Sequence, residues 1–150
     1  MIQWKDEVII QANIKKVWSL FDEENITRIM PKVVEHKLVE KHDGEIGSKY
    51  QQKYKEGKRV ETYIVEVLDY ENTENKKHKK LGFVLAKAFE INFSYTLEKM
   101  AESKTRFIYE GHNKGLNFVG RAMLKLGGEK NNKKVVQDFL ELVEKESLKE

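Results

Sequence analysis

Between Phe89 and Glu98 the chain alternates without interruption: Phe89, Ile91, Phe93, Tyr95 and Leu97 are apolar, and Glu90, Asn92, Ser94, Thr96 and Glu98 separate them. Successive side chains of a β-strand point to opposite faces, so this period of two predicts a strand with one buried face and one wet face. An apolar strand face has to be covered, and a lone strand cannot cover itself. The rest of the chain must therefore supply neighbours for this strand and a lid for the face they share.

The neighbours are legible. Val33 to Lys41, Ser48 to Lys55, Arg59 to Tyr70, His78 to Ala86 and Thr105 to Asn113 read as strands. They are punctuated by His42-Asp43-Gly44-Glu45, Glu56-Gly57, a polar loop from Asn72 to Lys77, Lys87-Ala88, and Ala101-Glu102-Ser103. Ahead of them, Glu7 to Gln11 reads as another strand. Asn13 then offers a cap to a short helix whose apolar stripe is Ile14, Val17, Trp18 and Phe21. A second helical turn, Glu24 to Met30, stops at Pro31, which biases the preceding residue away from helical geometry.

The lid is at the other end. Val135, Val136, Phe139, Leu140, Leu142 and Val143 recur at helical spacing, and this segment alone is long enough to cover a sheet. Gly127-Gly128 precedes it. Each glycine costs about 1 kcal/mol inside a helix, so the pair marks a break, a kink or a helix start. The apolar stretch before it, Leu116 to Leu126, reads equally as a lid, an interfacial helix or the first part of the closing helix. The expected class is α+β: a curved antiparallel sheet of about six to seven strands around a long C-terminal helix, with two short helices after the first strand.

Composition narrows the partners. Twenty-eight basic residues stand against 25 acidic ones, largely interspersed, for a net charge of +3. Nucleic acid is not expected, because phosphate binding needs positive charge concentrated on one face. The absence of cysteine excludes disulfides and thiolate chemistry. No glycine- or serine-rich linker divides residues 1–150, so one domain is expected. Met1 to Glu7 lacks the basic-then-apolar order of a signal peptide, and Leu81 to Phe89 is too short to span a bilayer. A cytoplasmic protein without stable membrane association is the expectation, and nothing indicates the oligomeric state.

Three segments resemble the helix-grip superfamily (SRPBCC), which includes START lipid-binding domains, birch-pollen-allergen-like (Bet v 1-like) proteins and bacterial polyketide cyclase/dehydrase-like proteins. Ile10-Gln11-Ala12-Asn13-Ile14-Lys15-Lys16-Val17-Trp18 is similar to the family's opening strand, cap and helix. Gly47-Ser48-Lys49-Tyr50 is similar to the approach to its third strand, and Lys133 to Leu140 to the start of its closing helix. In length the chain is nearer the short bacterial members. The resemblance implies a cavity between sheet and long helix that holds a small hydrophobic molecule.

The residues that would line such a cavity are Tyr50, Tyr54, Phe83, Phe93, Tyr95, Phe107 and Tyr109 on the strands, with Gln52 between the first two, and Phe118 and Met123 from the apolar stretch. A ligand site is mostly apolar with a few polar groups that fix orientation, and a tyrosine supplies both. The same rings would equally serve as plain core. Arg59 and Thr62 on the next strand are further inward candidates, and for them as for Gln52 a one-residue slip of register, which turns the side chain outward, is at least an equal reading.

No catalytic constellation, metal site or cofactor motif is present in the sequence. His36, His42, His78 and His112 lack metal-ligand spacing and fall mostly at strand ends, where they read as solvated. Glu110 and His112 share a strand face as a weak acid/base pair. The basic run Lys76-Lys77-His78-Lys79-Lys80 reads as a solvated loop, with phosphate or acidic lipid as its other use. Carriage of a hydrophobic ligand (lipid, polyketide-like or aromatic metabolite) is the leading expectation. A cyclase or dehydratase acting in the same cavity is the second, and a protein-interaction module the third.

Overall fold

The strand expected at Phe89 is β6 (Phe89–Ala101), and it lies near the middle of a sheet rather than at its edge. The computed structural model describes residues 1–149. In chain order the elements are β1 (Ile2–Ile10), α1 (Ile14–Ser19), α2 (Ile26–Ile29), β2 (Val33–Glu40), β3 (Lys49–Glu56), β4 (Arg59–Asn72), β5 (Lys76–Leu85), β6, β7 (Lys104–Gly115), α3 (Phe118–Lys125) and α4 (Gly128–Ser147). The seven strands form one antiparallel sheet in the order β1-β7-β6-β5-β4-β3-β2. The first strand therefore pairs with the last, from Ile2 opposite Asn113 to Ile10 opposite Thr105.

Because β1 and β2 are the two edges, α1 and α2 carry the chain across the sheet between them. Asn13 begins that crossing: its Oδ1 accepts the Lys15 N–H at 2.9 Å, and its Nδ2 donates to the Glu102 carbonyl at 2.7 Å. The cap thus ties α1 to the β6–β7 turn. α4 packs chiefly along β1 and is tied to α2 by Arg28 Nε to Glu146 Oε1 at 3.1 Å. Between these layers Ile10, Val17, Leu97, Phe107 and Val143 are completely buried. Each such side chain stabilises the fold by about 1.5–3 kcal/mol relative to exposure.

Gly127 has φ +80°, and this left-handed residue separates α3 from α4, so Leu116 to Leu126 is not the start of the closing helix. Gly111 has a steric role instead. A Cβ there would stand 2.6 Å from Trp4 Cζ2 and would also collide with the Asn92 carbonyl oxygen, so its absence lets Trp4 lie across β7.

The structure corrects three expectations. Asn72 to Lys77 is not all loop, since β5 begins at Lys76. Lys77 is buried, with Nζ donating to Asn72 Oδ1 at 2.5 Å and to the Thr73 carbonyl at 3.1 Å. Thr62 points outward, because the inward register of β4 runs through Tyr63, Val65 and Val67, whereas Arg59 shares that parity but is exposed beside Glu61 at the very start of the strand. The outer face of β6 is not uniformly wet, for Ser94 and Thr96 are buried there and His78 Nδ1 lies 2.7 Å from Thr96 Oγ1. Long side chains on β5 and β7 rise around these short ones and enclose a polar outer depression of about 670 Å³.

Candidate ligand-binding groove

Aromatic rings run across the helix-facing side of the sheet in continuous contact. Tyr63 on β4 stacks on Phe83 of β5, centroids 4.3 Å apart, and Phe83 meets Phe93 edge-on at 6.3 Å. Phe93 meets Tyr95 at 5.4 Å, Tyr95 stacks on Tyr109 of β7 at 5.8 Å, and Tyr109 contacts Phe139 of α4 at 4.7 Å. The middle of the row, Phe93 and Tyr95, is buried, and its two ends are less fully covered. Near α1, Phe21, Tyr95, Leu97 and Phe107 are buried together. Phe83 and Ile91, toward the β5–β6 turn, are only partly buried although they face the core, as are Tyr63 on β4, Tyr109 on β7 and Phe139 on α4. α4 lies chiefly against β1, so the inner aromatic side chains of β4 and β5 stay partly exposed, and they form the floor of the candidate groove.

Polar groups border this groove. Gln52 points inward and is buried, as alternation with Tyr50 and Tyr54 suggested. Its Oε1 lies 2.8 Å from His36 Nδ1, and its Nε2 donates to the Tyr63 hydroxyl at 2.8 Å. His36 in turn stacks on Tyr50 at 4.5 Å. Burial holds the His36 imidazole below its ordinary range, with the Gln52 hydrogen bond opposing and the Lys79 charge assisting. Burial raises the Tyr63, Tyr95 and Tyr109 phenols, which therefore stay protonated donors. The Tyr95 hydroxyl, Trp4 Nε1 and Asn113 Oδ1 are buried without a protein hydrogen-bond partner. A buried polar group left so costs about 1–3 kcal/mol.

His36 leads to a second concavity. A pocket of about 190 Å³ lies where the α1–α2 turn meets β3, β4 and β5, walled by Trp18, Phe21, Tyr50 and Tyr70 with Asp22, Glu23 and Glu45 at its rim. Lys79 reaches into it, its Nζ 5.6 Å above the Tyr50 ring. Among the described residues it has neither a hydrogen bond nor an ion pair. Burial pulls its amine below the ordinary range, and Glu45 and Asp22 oppose the shift. The chain His36–Gln52–Tyr63 connects this pocket to the aromatic groove.

The sequence-predicted residues divide accordingly. Phe83, Tyr109 and, at the far end of β3, Tyr54 are half-buried on the inner side, and Gln52 lies beside them. Tyr50 lines the Lys79 pocket. Phe93, Tyr95 and Phe107 are buried in the ring cluster itself. Phe118 and Met123 are not brought to the groove: they lie on the exposed side of α3. Glu110 and His112 are on the outer face, where His112 Nε2 lies 3.6 Å from Glu90 Oε1.

Sequence reasoning missed Trp4, His36, Tyr63, Tyr70, Lys79 and Phe139. Tyr63 alternates with Val65 and Val67, a signal that was available. Lys79 alternates with Leu81 and Phe83, but its place within a basic run concealed this. No cluster suited to a metal ion occurs among the described residues.

No family model matches the chain, and no curated protein matches it by sequence. Solved structures do match. The Zhui aromatase/cyclase from a Streptomyces species superposes with a TM-score of 0.71 at 12% identity, covering 97% of this chain and 92% of that one. A major latex-like protein from Panax ginseng gives 0.66 at 15%, covering 98% and 97%. Norcoclaurine synthase from Thalictrum flavum gives 0.68 at 9%, covering 99% and 94%. At these identities the likeness is one of fold, and the fold is the α+β helix grip that the sequence resemblance implied.

Proposed function

We propose that residues 1–150 act as one helix-grip domain that binds a small molecule with a flat apolar body and a polar end. The observation that carries this is the set Tyr63, Phe83, Ile91, Tyr109 and Phe139, which faces the core yet stays partly exposed. Its rings would bury the apolar body. The parallel Tyr63–Phe83 faces suit a flat aromatic or polyketide-like ring system better than an acyl chain, because flat rings gain from offset stacking. The Gln52 amide and the tyrosine hydroxyls would orient polar substituents.

The test uses 1-anilinonaphthalene-8-sulfonate as probe. Saturable binding of one probe per chain is expected, weakened about tenfold by Phe83→Ala, equivalent to roughly 1.4 kcal/mol of lost ring contact. Binding unchanged both by Phe83→Ala and by the groove-filling Ile91→Trp would overturn the assignment.

One observation favours a second reading, an enzyme of the cyclase kind: Lys79 is an unpaired amine in an aromatic pocket. In its neutral form it can take a proton from carbon beside a carbonyl, leaving an enolate that attacks a second carbonyl in the same molecule; the lysine ammonium then returns the proton to the alkoxide so formed. An aromatase/cyclase and a synthase among the solved structures of this fold support the chemistry as possible on it. Deuterium exchange at the α-carbon of a β-diketone, followed by NMR, should be accelerated by the protein and not by Lys79→Met. Equal exchange with both proteins would exclude the lysine as base.

A further inference from the structure

The apolar side of α3 faces outward. Gly120 is buried and Leu124 half-buried against the protein, whereas Val119, Met123 and Leu126, spaced i, i+4 and i+7, are 62%, 56% and 85% exposed. Phe118, in the first turn beside this stripe, is 78% exposed. A contiguous exposed apolar cluster marks an interaction surface. Charge selects its partner: Lys114, Arg121, Lys125, Lys130, Lys133 and Lys134 are all exposed, and Glu129 is the one acidic residue between Lys114 and Val136.

The position of α3 in the fold connects this surface to the groove. Gly120 packs so closely on the Ala88 carbonyl, in the β5–β6 turn, that a Cβ would collide with it. The Phe83–Ile91 pair of the aromatic groove lies just inside that turn.

We infer that the α3–α4 elbow docks reversibly on an anionic lipid surface, which brings the β5–β6 end of the groove to the membrane. Phe118, Val119, Met123 and Leu126 enter the boundary between headgroups and acyl chains. The flanking lysines lay their methylene stems along the same boundary and present their ammonium groups to phosphate. Such docking needs no spanning helix, and no described helix is long and apolar enough to cross a membrane. A second copy of the chain is a poorer occupant, because a two-fold contact sets the same basic cluster against itself.

Flotation of the full chain with vesicles tests this, using equal parts phosphatidylglycerol and phosphatidylcholine, then phosphatidylcholine alone. The protein is expected to rise with the anionic vesicles, to stay behind with the neutral ones, and to be released by salt. The double variants Phe118→Ser with Leu126→Ser, and Arg121→Glu with Lys125→Glu, should each weaken binding about tenfold with an unchanged circular dichroism spectrum. Failure to float with anionic vesicles at low salt would overturn the inference. So would binding that the Phe118→Ser/Leu126→Ser protein retains in full, since charge alone would then account for it. A concentration-dependent dimer that this double variant dissolves, without flotation, would assign the face to a second copy instead.

Discussion

Lys79 places an ammonium group among aromatic rings without an ion pair, so burial desolvates the charge and the Tyr50 face and the nearby Glu45 and Asp22 carboxylates offset the loss only in part. Methionine has a similar reach and no charge. Lys79→Met should therefore raise Tm, by about 2–4 °C if removing the charge stabilises the fold by about 1 kcal/mol. A thermal melt checks this, and a lowered Tm would mean that the amine has a stabilising partner. His36 gives a pH dependence of known sign. Its imidazole is held below the ordinary value, so between about pH 6.5 and its lower native value the unfolded chain binds a proton that the folded one does not. Stability is complete above that window and falls as pH drops through it. Urea melts at about pH 7.5 and about pH 5.5 should differ less for His36→Gln than for the parent protein.

The elements depend on two glycines for different physical reasons. Nothing lies within 4 Å of a Cβ added at Gly127, so its constraint is purely conformational, a left-handed φ of +80°. Gly127→Ala should destabilise by about 1–2 kcal/mol while leaving the rest of the structure in place. At Gly111 the obstacle is steric, and it includes backbone that cannot turn aside. Gly111→Ala has to part Trp4 from β7 or shift the β6–β7 pairing, an overpacking that costs about 1–3 kcal/mol. Denaturant melts measure both losses. The Trp4 fluorescence should change in the second variant only, and a change in both would refute the distinction.

Across the whole molecule, the sheet and α4 grip tightly at the α1 end and loosely toward the β5–β6 turn. A ligand that fills the loose end binds only the folded chain. At a concentration of about 100 times its Kd, any such ligand stabilises by about 2.7 kcal/mol, a rise in Tm of roughly 5–10 °C for a chain of this size. A differential scan with the anilinonaphthalene probe should show this rise, smaller in the Ile91→Trp protein. A probe that binds but leaves Tm unchanged would have to bind the unfolded chain equally, and would not occupy this groove.

The sequence by itself determined which segments are strands and which side of β6 is buried, because a period of two and a helical stripe are local consequences of backbone geometry. The cap at Asn13 is legible too, whereas the Gly127-Gly128 pair is compatible with a break, a kink or a helix start, and the direction of Gln52 hangs on the register. Tertiary structure alone decided how far each inward side chain is covered. α4 runs along β1 and not over β4, so Tyr63 and Phe83 are partly exposed while Phe107, on the same side of the sheet, is sealed. It likewise decided that Lys79 enters a pocket from within a basic run, and that the apolar stripe of α3 faces away from the core. Alternation tells a side chain which way to point, but what it meets there depends on elements far away in the chain. The strand that first constrained the fold thus carries both outcomes along one face, Tyr95 and Leu97 packed shut and Ile91 open.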